Sequence, residues 1–215
     1  MTEEKNIFKQ LFDQEETLTE KQQKIVEAAI EMFAEKGYAS TSTSQIAKKA
    51  GVAEGTIFRH YKTKKDLLLS IVSPTMAKLI APFVIRDLNK VLDAKYDRYE
   101  DFLKAMILNR QAFLKENMTA FKILIQEIPF HPELKEQFKE HIAEKVIEKF
   151  VRLVDHYKEK GQIIDLPSYT VVRFSATSIF GLLLVRYLFL PEADWDDEKE
   201  IDMTVQMIVN GIGKG

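Results

Sequence analysis

Apolar side chains recur along this chain every three or four residues, which is the period of an α-helix with one buried face. Ile25, Ala29 and Phe33 form one such stripe, and comparable stripes continue as far as Ile212. The alternation of apolar and polar residues that is typical of half-buried strands is nearly absent. The pattern therefore predicts an all-α protein.

The first secure helix is marked by its end signals. Thr19 and Gln22 have the spacing of a capping box, so we expect the helix to begin there. Gly37 predicts its end as a left-handed cap, with Tyr38 folding back onto the helix. Residues 1–18 precede this start and are expected to be an extension that forms a short helix or frays.

Two short helices and a longer one are predicted next. The second helix is expected to start near Thr43 or Ser44 and to end at Gly51, and the third to cover residues 54–61. Thr63 then has the position of a cap for the fourth helix. Because glycine adopts positive φ without strain, Gly51 allows a sharp turn between the second and third helices.

Longer helices follow, and a few prolines interrupt the pattern. Pro74 and Pro82 predict kinks or breaks, although Ser73 could instead cap a new helix that has Pro74 at its first position. The longest apolar run covers residues 178–190 and contains Arg186. A membrane-spanning helix needs about 20 apolar residues, so we interpret this run as a buried helix rather than a membrane span.

Composition narrows the function classes. The chain has 215 residues and no cysteine, which excludes disulfides, a thiol nucleophile and cysteine-based metal sites. The four histidines show no close metal-ligand spacing, and the common catalytic and phosphate-binding motifs are missing. We therefore expect no enzyme, no metal and no cofactor.

An acidic N-terminus without an apolar core is no secretory signal, and we expect a cytoplasmic protein without membrane contact.

Charge is concentrated in one segment. Residues 41–65 hold six basic residues against the single acidic Glu54, a local charge of +5 in a chain whose net charge is −2. Two short helices joined by a glycine turn within a basic segment are typical of a helix-turn-helix, whose second helix fits the major groove of DNA. An ordinary helical corner with a solvated basic face would give a similar pattern.

Each candidate DNA contact has a physical reason. Thr43, Ser44 and Gln45 lie at a helix start, where N–H groups and short polar side chains suit phosphate. Arg59 is the best candidate for reading a base, and Glu54 either accepts from a cytosine amino group or stabilises the helix start. The full predicted DNA-binding set is Thr43, Ser44, Gln45, Glu54, Gly55, Thr56, Phe58, Arg59, His60, Tyr61, Lys62 and Lys64.

Residues 21–68, KQQKIVEAAIEMFAEKGYASTSTSQIAKKAGVAEGTIFRHYKTKKDLL, strongly resemble the N-terminal domain of TetR-family transcriptional regulators. The matching features are the AAIEMFAEKGY helix end, the TSTSQIAKKAGV run, the GTIFRHY recognition helix and the KTKKDLL that follows it. Ala53 is a departure, because relatives often have Ser or Thr there as a helix cap. The resemblance implies a repressor that binds a palindromic DNA operator as a homodimer and is released by a small molecule.

The resemblance also implies a domain organisation. We expect the DNA-binding domain over residues 19–65 and an effector-binding and dimerisation domain over 66–215. The helix from Pro167 to Leu190 is apolar on more than one face and the final helix adds Met203, Val205 and Met207, so the two can form a four-helix bundle with a second subunit. The alternative is that they bury these faces within one subunit. The predicted dimer-interface residues are Ser178, Leu182, Arg186, Met203 and Met207.

A small lipophilic effector is expected in the middle of the chain. The predicted pocket residues are Phe102, Met106, Arg110, Phe113, Phe121, Ile125 and Phe174. Arg110 or Arg173 would suit an acidic lipophile such as a fatty acid or acyl thioester, and Glu127 would suit a cationic ligand. Two other interpretations remain open from the sequence: a helical protein-interaction module, and a regulator of this type that has no effector.

Overall fold

The computed structural model describes residues 19–75 and 81–212, so the expected extension over residues 1–18 lies outside the described part. Within the described residues the chain forms eleven α-helices and no strand, which confirms the predicted all-α class. The helices are α1 (Glu20–Lys36), α2 (Thr43–Ala50), α3 (Glu54–His60), α4 (Lys64–Thr75), α5 (Ala81–Leu92), α6 (Tyr99–Glu116), α7 (Met118–Glu127), α8 (Pro132–Phe138), α9 (Glu144–Glu159), α10 (Ser168–Leu184) and α11 (Asp197–Ile212).

Side-chain caps fix two of the helix starts where the sequence predicts them. The hydroxyl of Thr19 accepts from the backbone N–H of Gln22 at 3.4 Å, and the Gln22 side chain accepts from the Thr19 N–H at 3.1 Å. The hydroxyl of Thr63 accepts from the backbone N–H of Asp66 at 3.0 Å. Each cap satisfies an N–H that has no partner within the helix and contributes about 1 kcal/mol.

Gly37 ends α1 in a different conformation from the predicted one. Its φ of 77° and ψ of 160° are positive and extended, so the expected left-handed helical cap is wrong. The Gly37 N–H still donates to the Phe33 carbonyl at 2.9 Å. Tyr38 does return onto the helix, and its ring centroid lies 5.5 Å from that of Phe33.

The long helices differ from the sequence pattern at their joints. A π turn at Lys139–Ala143 separates α8 from α9, where the apolar stripe predicts one continuous helix, and a second π turn (Val185–Phe189) follows α10. Helix α4 continues through Ser73 and Pro74 to Thr75, so Ser73 does not cap a new helix. Pro82 is the second residue of α5, where a missing N–H costs no helical hydrogen bond.

By internal contacts the chain divides into two compact units. The first comprises the chain up to Phe83 together with Leu114–His141, and the second comprises Val84–Phe113 together with the chain from Ile142 onward. The expected boundary at residue 65 is therefore not where the contacts divide the chain, because α7 and α8 belong with the helix-turn-helix. Helix α1 packs against α2, α4 and α7, and α4 packs against α8.

Aromatic rings fill the core of the second unit. Phe102 is fully buried, with its ring centroid 5.9 Å from Tyr99 and 5.3 Å from Phe150. The Tyr99 hydroxyl lies 2.9 Å from the hydroxyl of Ser175 on α10. Burial raises the pKa of Tyr99 well above its usual value, because the phenolate would lose its hydration there. Helix α10 packs between α9 and α11 in this unit.

Candidate nucleic-acid interface

A small apolar core holds α2 and α3 at a fixed angle. Ile46 and Ile57 are fully buried, and Phe33 on α1 closes the same core. Gly51 ends α2 in the left-handed helical region, with φ 68° and ψ 31°. The Val52 N–H then donates to the Ala47 carbonyl at 3.0 Å. The predicted helix-turn-helix therefore forms, and the residue that turns the chain is one that tolerates positive φ.

One face of α3 is left exposed by this packing. Glu54, Gly55, Phe58 and Arg59 are exposed, and their spacing places them together on one side of the helix. We name these four residues the reading face. Phe58 is 48% exposed although it is a large apolar side chain, and a Cβ added at Gly55 would have no neighbour within 4 Å. The reading face is an open surface.

The start of α2 lies beside the start of α3. Ser42 and Gln45 form a capping box, with Gln45 N–H to Ser42 Oγ at 3.2 Å and Ser42 N–H to Gln45 Oε1 at 3.1 Å. This cap is not among the predicted ones, although the Ser-x-x-Gln spacing is its signal. The Thr43 hydroxyl donates to Glu54 Oε1 at 2.6 Å, and Ser44 is exposed. The predicted polar cluster is thus partly engaged within the protein.

Two of the predicted phosphate contacts turn inward. Tyr61 is buried, with 8% of its surface exposed. Lys64 is half-buried, and its ammonium group donates to the carbonyls of Tyr38 and Thr41 at 2.7 and 2.8 Å. His60 and Lys62 are exposed beside the reading face, and Thr56 is half-buried.

A buried polar group connects α7 and α8 to the end of α1. His131 Nε2 lies 3.2 Å from Glu127 Oε2, and both side chains are buried. The His131 ring meets the ring of Tyr38 edge-on at 5.6 Å. Burial, followed by the charge of Glu127, raises the pKa of Tyr38. Because Glu127 already has a partner, its burial gives no reason to expect a cationic ligand.

The predicted pocket residues do not all lie in one unit. Phe121 and Ile125 belong to the first unit, and Phe102, Met106, Arg110, Phe113 and Phe174 belong to the second. Phe102 and Met106 are buried, and Phe102 is packed among aromatic rings. Phe174 is 40% exposed on the outer side of α10, so it lies with the predicted dimer residues rather than in an interior.

Arg110, a predicted pocket residue, is a largely buried cation of the second unit. Its guanidinium is paired with the carboxylate of Asp87 on α5, and both side chains are about six-sevenths buried, at 16% and 15% exposure. Asn109 supports the pair by donating to Asp87 Oδ2 at 3.1 Å. Burial lowers the pKa of Arg110 to about 10, and Asp87 opposes that shift.

Helices α10 and α11 each expose large apolar side chains. Phe174, Phe180, Met203 and Met207 are between 40% and 63% exposed, and we name them the outer stripe. Ser178 and Leu182 are half-buried. Arg186 donates to Asp197 Oδ1 at 2.7 Å, so its charge is paired within the chain. The expectation that the apolar run around residues 178–190 is a buried helix is wrong for the single chain.

The segment Ser168–Phe189 is long and apolar enough to cross a bilayer, judged by length and composition alone, and 28% of its most apolar window is buried within the chain. It is the one such helix in residues 19–75 and 81–212. Over the same residues, no group of three or more His, Cys, Asp or Glu is arranged to hold a metal ion.

The model of the family "Bacterial regulatory proteins, tetR family" matches residues 25–71, the segment that contains most of α1, the Gly51 turn and the reading face. This N-terminal segment therefore has the tetR-family sequence pattern. The match covers the part of the chain on which the sequence resemblance rests.

Curated relatives match part of the chain. The "Fatty acid metabolism regulator protein" of Bacillus subtilis is 45% identical over 60 residues, which is 28% of this chain and 31% of that protein. The matched region spans less than a third of each of the first curated relatives.

Solved structures share the tetR-family fold over nearly the whole chain. The transcriptional regulator FadR from Bacillus subtilis, in complex with stearoyl-CoA, has a TM-score of 0.62 at 23% identity and covers 88% of this chain and 98% of its own. The ketosteroid transcriptional regulator KstR2 of Mycobacterium tuberculosis has a TM-score of 0.65 at 16% identity, with 92% and 97% covered. At these identities the likeness concerns the fold.

Proposed function

We propose that this protein is a DNA-binding transcriptional repressor, released from a palindromic operator by a small lipophilic ligand. The observation that carries the proposal is the reading face, which stays exposed on a short helix behind a tight glycine turn within a basic segment. An α-helix fits the major groove, and the residues at its start meet base edges. The family match over residues 25–71 supports the same function.

The proposed DNA contacts have distinct roles. Arg59 is exposed on the reading face and reads a guanine, because a guanidinium donates two hydrogen bonds to O6 and N7. Phe58 contacts a thymine methyl, and the missing side chain at Gly55 lets the backbone approach the bases. The exposed residues Ser44, Gln45, His60 and Lys62, with the half-buried Thr56, contact the phosphate backbone.

Lys64 and Tyr61 act indirectly in this proposal. Lys64 donates two hydrogen bonds to backbone carbonyls, and Tyr61 is buried. In this proposal both residues stabilise the domain and do not contact the DNA. Lys49 is also paired, with Glu31 at 2.7 Å. The charge available to phosphates is therefore smaller than the sequence count of +5 suggests.

A second copy of the chain covers the outer stripe in this proposal. The stripe consists of exposed large apolar side chains on two adjacent helices, which a four-helix bundle with the same two helices of a partner would bury. Twofold symmetry also presents two reading faces to the two halves of a palindrome, about 34 Å apart. The half-buried Ser178 and Leu182 belong to the same interface, whereas Arg186 is held by Asp197.

The proposed ligand is an acidic lipophile of the acyl-thioester class. FadR of Bacillus subtilis, which shares the fold, is described in complex with stearoyl-CoA. Within the second unit, Arg110 is a largely buried cation whose carboxylate partner an acidic ligand could replace. Ligand binding would shift the population towards a conformation in which the two reading faces no longer match the operator. We place this activity in the cytoplasm.

Binding to DNA from upstream of the protein's own gene, measured over a salt series, tests the proposal. We expect tight binding to a short palindrome, with log K falling steeply as log salt rises, because phosphate contacts release counterions. Addition of stearoyl-CoA should release the DNA, while free coenzyme A should not. Weak and sequence-independent binding to genomic DNA fragments would instead favour a protein-interaction module that carries a solvated basic face.

A further inference from the structure

The reading face contains an acidic residue in a place where DNA disfavours negative charge. Glu54 is the first residue of α3, is exposed, and lies next to the open surface at Gly55. A carboxylate there approaches the phosphates of both strands, which carry one charge per about 1.7 Å of helix axis. Such a group weakens binding unless a donor on the DNA meets it.

The contacts of Glu54 orient its carboxylate without neutralising it. The Thr43 hydroxyl donates to Oε1 at 2.6 Å, and a hydroxyl carries no charge. Glu20 provides the contrast, because it is also the first residue of its helix, and Lys24 four residues later pairs with it at 2.7 Å. The residue four positions after Glu54 is Phe58. The Glu54 carboxylate is therefore oriented by a neutral hydroxyl on the exposed side of α3.

Base edges in the major groove differ sharply in what they offer a carboxylate. Guanine presents two acceptors and thymine presents one acceptor and a methyl group, so both repel it. Adenine presents an amino donor, but its N7 acceptor lies alongside. Cytosine presents the N4 amino donor with no acceptor of its own beside it, so the neighbouring acceptor is O6 of the paired guanine on one side only. A carboxylate that can only accept is therefore best matched by cytosine.

Helix stabilisation is the competing role for Glu54. Ala53 gives α3 no side-chain cap, and an acidic residue in the first turn interacts favourably with the helix dipole. That role needs only negative charge near the N-terminus, and it does not need a fixed orientation. The hydrogen bond from Thr43 supplies the orientation, which is what the recognition of a base edge requires.

We propose that Glu54, positioned by Thr43, selects a C·G pair in each half-site by accepting from the cytosine N4 amino group and by repelling the other bases. The inference rests on the proposed DNA-binding function and assigns to Glu54 one position of the operator. Glu54 is then a specificity residue, and Thr43 is a positioning residue that acts through it.

Selection of binding sites from a randomised duplex library tests this assignment. The wild-type protein should select a palindrome with one C·G pair in each half that it prefers about tenfold to a hundredfold over the other pairs. Glu54→Gln should move the preference at that position towards A·T, because an amide both accepts and donates and matches N6 and N7 of adenine. Preferences at the other positions should stay unchanged.

Variants of Thr43 test whether the orientation of the Glu54 carboxylate matters in addition to its charge. Thr43→Val removes the hydroxyl at nearly constant volume and should reduce the discrimination at the C·G position, whereas Thr43→Ser should retain it. Glu20→Gln removes the carboxylate at the start of α1 and should leave the selected sequence unchanged. Thermal unfolding of each variant verifies that the domain is folded at the temperature of the selection.

The outcomes distinguish this inference from the function on which it rests. If the wild type selects a palindrome and folded Glu54→Gln has the same base preferences as the wild type, the role of Glu54 is refuted. The proposed repressor function would be unaffected by that result. Equal preferences in Thr43→Val and wild type would refute the positioning by Thr43. A wild-type protein that selects no sequence would refute the proposed function and, with it, the inference.

Discussion

The ammonium nitrogen of Lys64 lies 2.7 Å from the carbonyl oxygen of Tyr38 and 4.1 Å from the centroid of the Tyr38 ring. The same nitrogen donates to the Thr41 carbonyl at 2.8 Å. One charged group at the start of α4 therefore satisfies two carbonyls of the loop between α1 and α2. This loop leads into α2, against which α3 packs.

Replacing Lys64 by Met should destabilise the DNA-binding domain. The methionine keeps the apolar stem but leaves two partly buried carbonyls without their donor and removes the contact with the Tyr38 ring. We expect a loss of about 1–3 kcal/mol in the free energy of unfolding, measured by urea denaturation. Lys62→Met is the matched control, because Lys62 is exposed and should leave stability nearly unchanged. Equal stability of both variants would refute the structural role of Lys64.

Arg59 should carry sequence information that Lys62 does not. Arg59→Ala should weaken binding to the operator by about 1–3 kcal/mol and change binding to random DNA much less, since a base contact is lost. Lys62→Ala should weaken both and reduce the salt slope by about one, as expected for a phosphate contact. Fluorescence anisotropy with an operator duplex and a scrambled duplex measures both effects. Equal losses on the two duplexes would make Arg59 a phosphate contact only.

Tyr99 should make the protein less stable in alkaline solution. In the unfolded chain a tyrosine loses its proton near pH 10, whereas burial holds the pKa of Tyr99 higher in the folded protein. Above pH 10 the unfolded state therefore binds fewer protons than the folded state, and stability falls as pH rises. At pH 10.5 this contribution amounts to about 1 kcal/mol.

Tyr99→Phe should remove that part of the pH dependence. Urea denaturation at pH 8 and pH 10.5 gives the loss of stability for each protein, and the loss should be smaller in the variant. Other titrating groups, such as Tyr38 and Arg110, are present in both proteins and cancel in the difference. Tyr169→Phe is the control, because this tyrosine is 60% exposed. Identical losses in Tyr99→Phe and wild type would contradict the prediction.

The outer stripe should hold two copies of the chain together. Met203→Glu combined with Met207→Glu places charges at positions that are 44% and 63% exposed in the single chain, so folding should survive while association fails. Sedimentation should give a dimer for the wild type and a monomer for the variant, whose affinity for the palindrome should fall at least tenfold. Phe130→Glu, at a residue that is 78% exposed on the other unit, should remain dimeric. A dimeric double variant would place the interface elsewhere.

The sequence predicts those parts of the fold that short segments determine. The caps at Thr19 and Thr63 and the turn at Gly51 are confirmed, because each depends on residues three to five positions apart. The exposed face of α3 also follows from helical spacing once Ile57 is assigned to the core.

Residues distant in sequence explain what could not be predicted. Lys64 is directed inward by carbonyls 26 and 23 positions earlier, and no local pattern distinguishes such a lysine from one that binds phosphate. The placement of His131 against Tyr38 depends on the packing of α8, far along the chain. The apolar run around residues 178–190 indicates that this helix buries apolar surface. Composition does not distinguish burial within one chain from burial between two chains.

The grouping of α7 and α8 with the helix-turn-helix limits how this protein can be recombined with its relatives. A hybrid that joins residues 19–65 to the remainder of another regulator would lose Gln126, which lies near Gly37, and His131, which lies against Tyr38. In such a hybrid, Gly37 and Tyr38 would pack against the side chains of the other regulator instead of against Gln126 and His131. We therefore expect an exchange of DNA specificity to succeed when residues 114–141 are transferred together with residues 19–65. Hybrids that contain only one of these two segments should fold poorly.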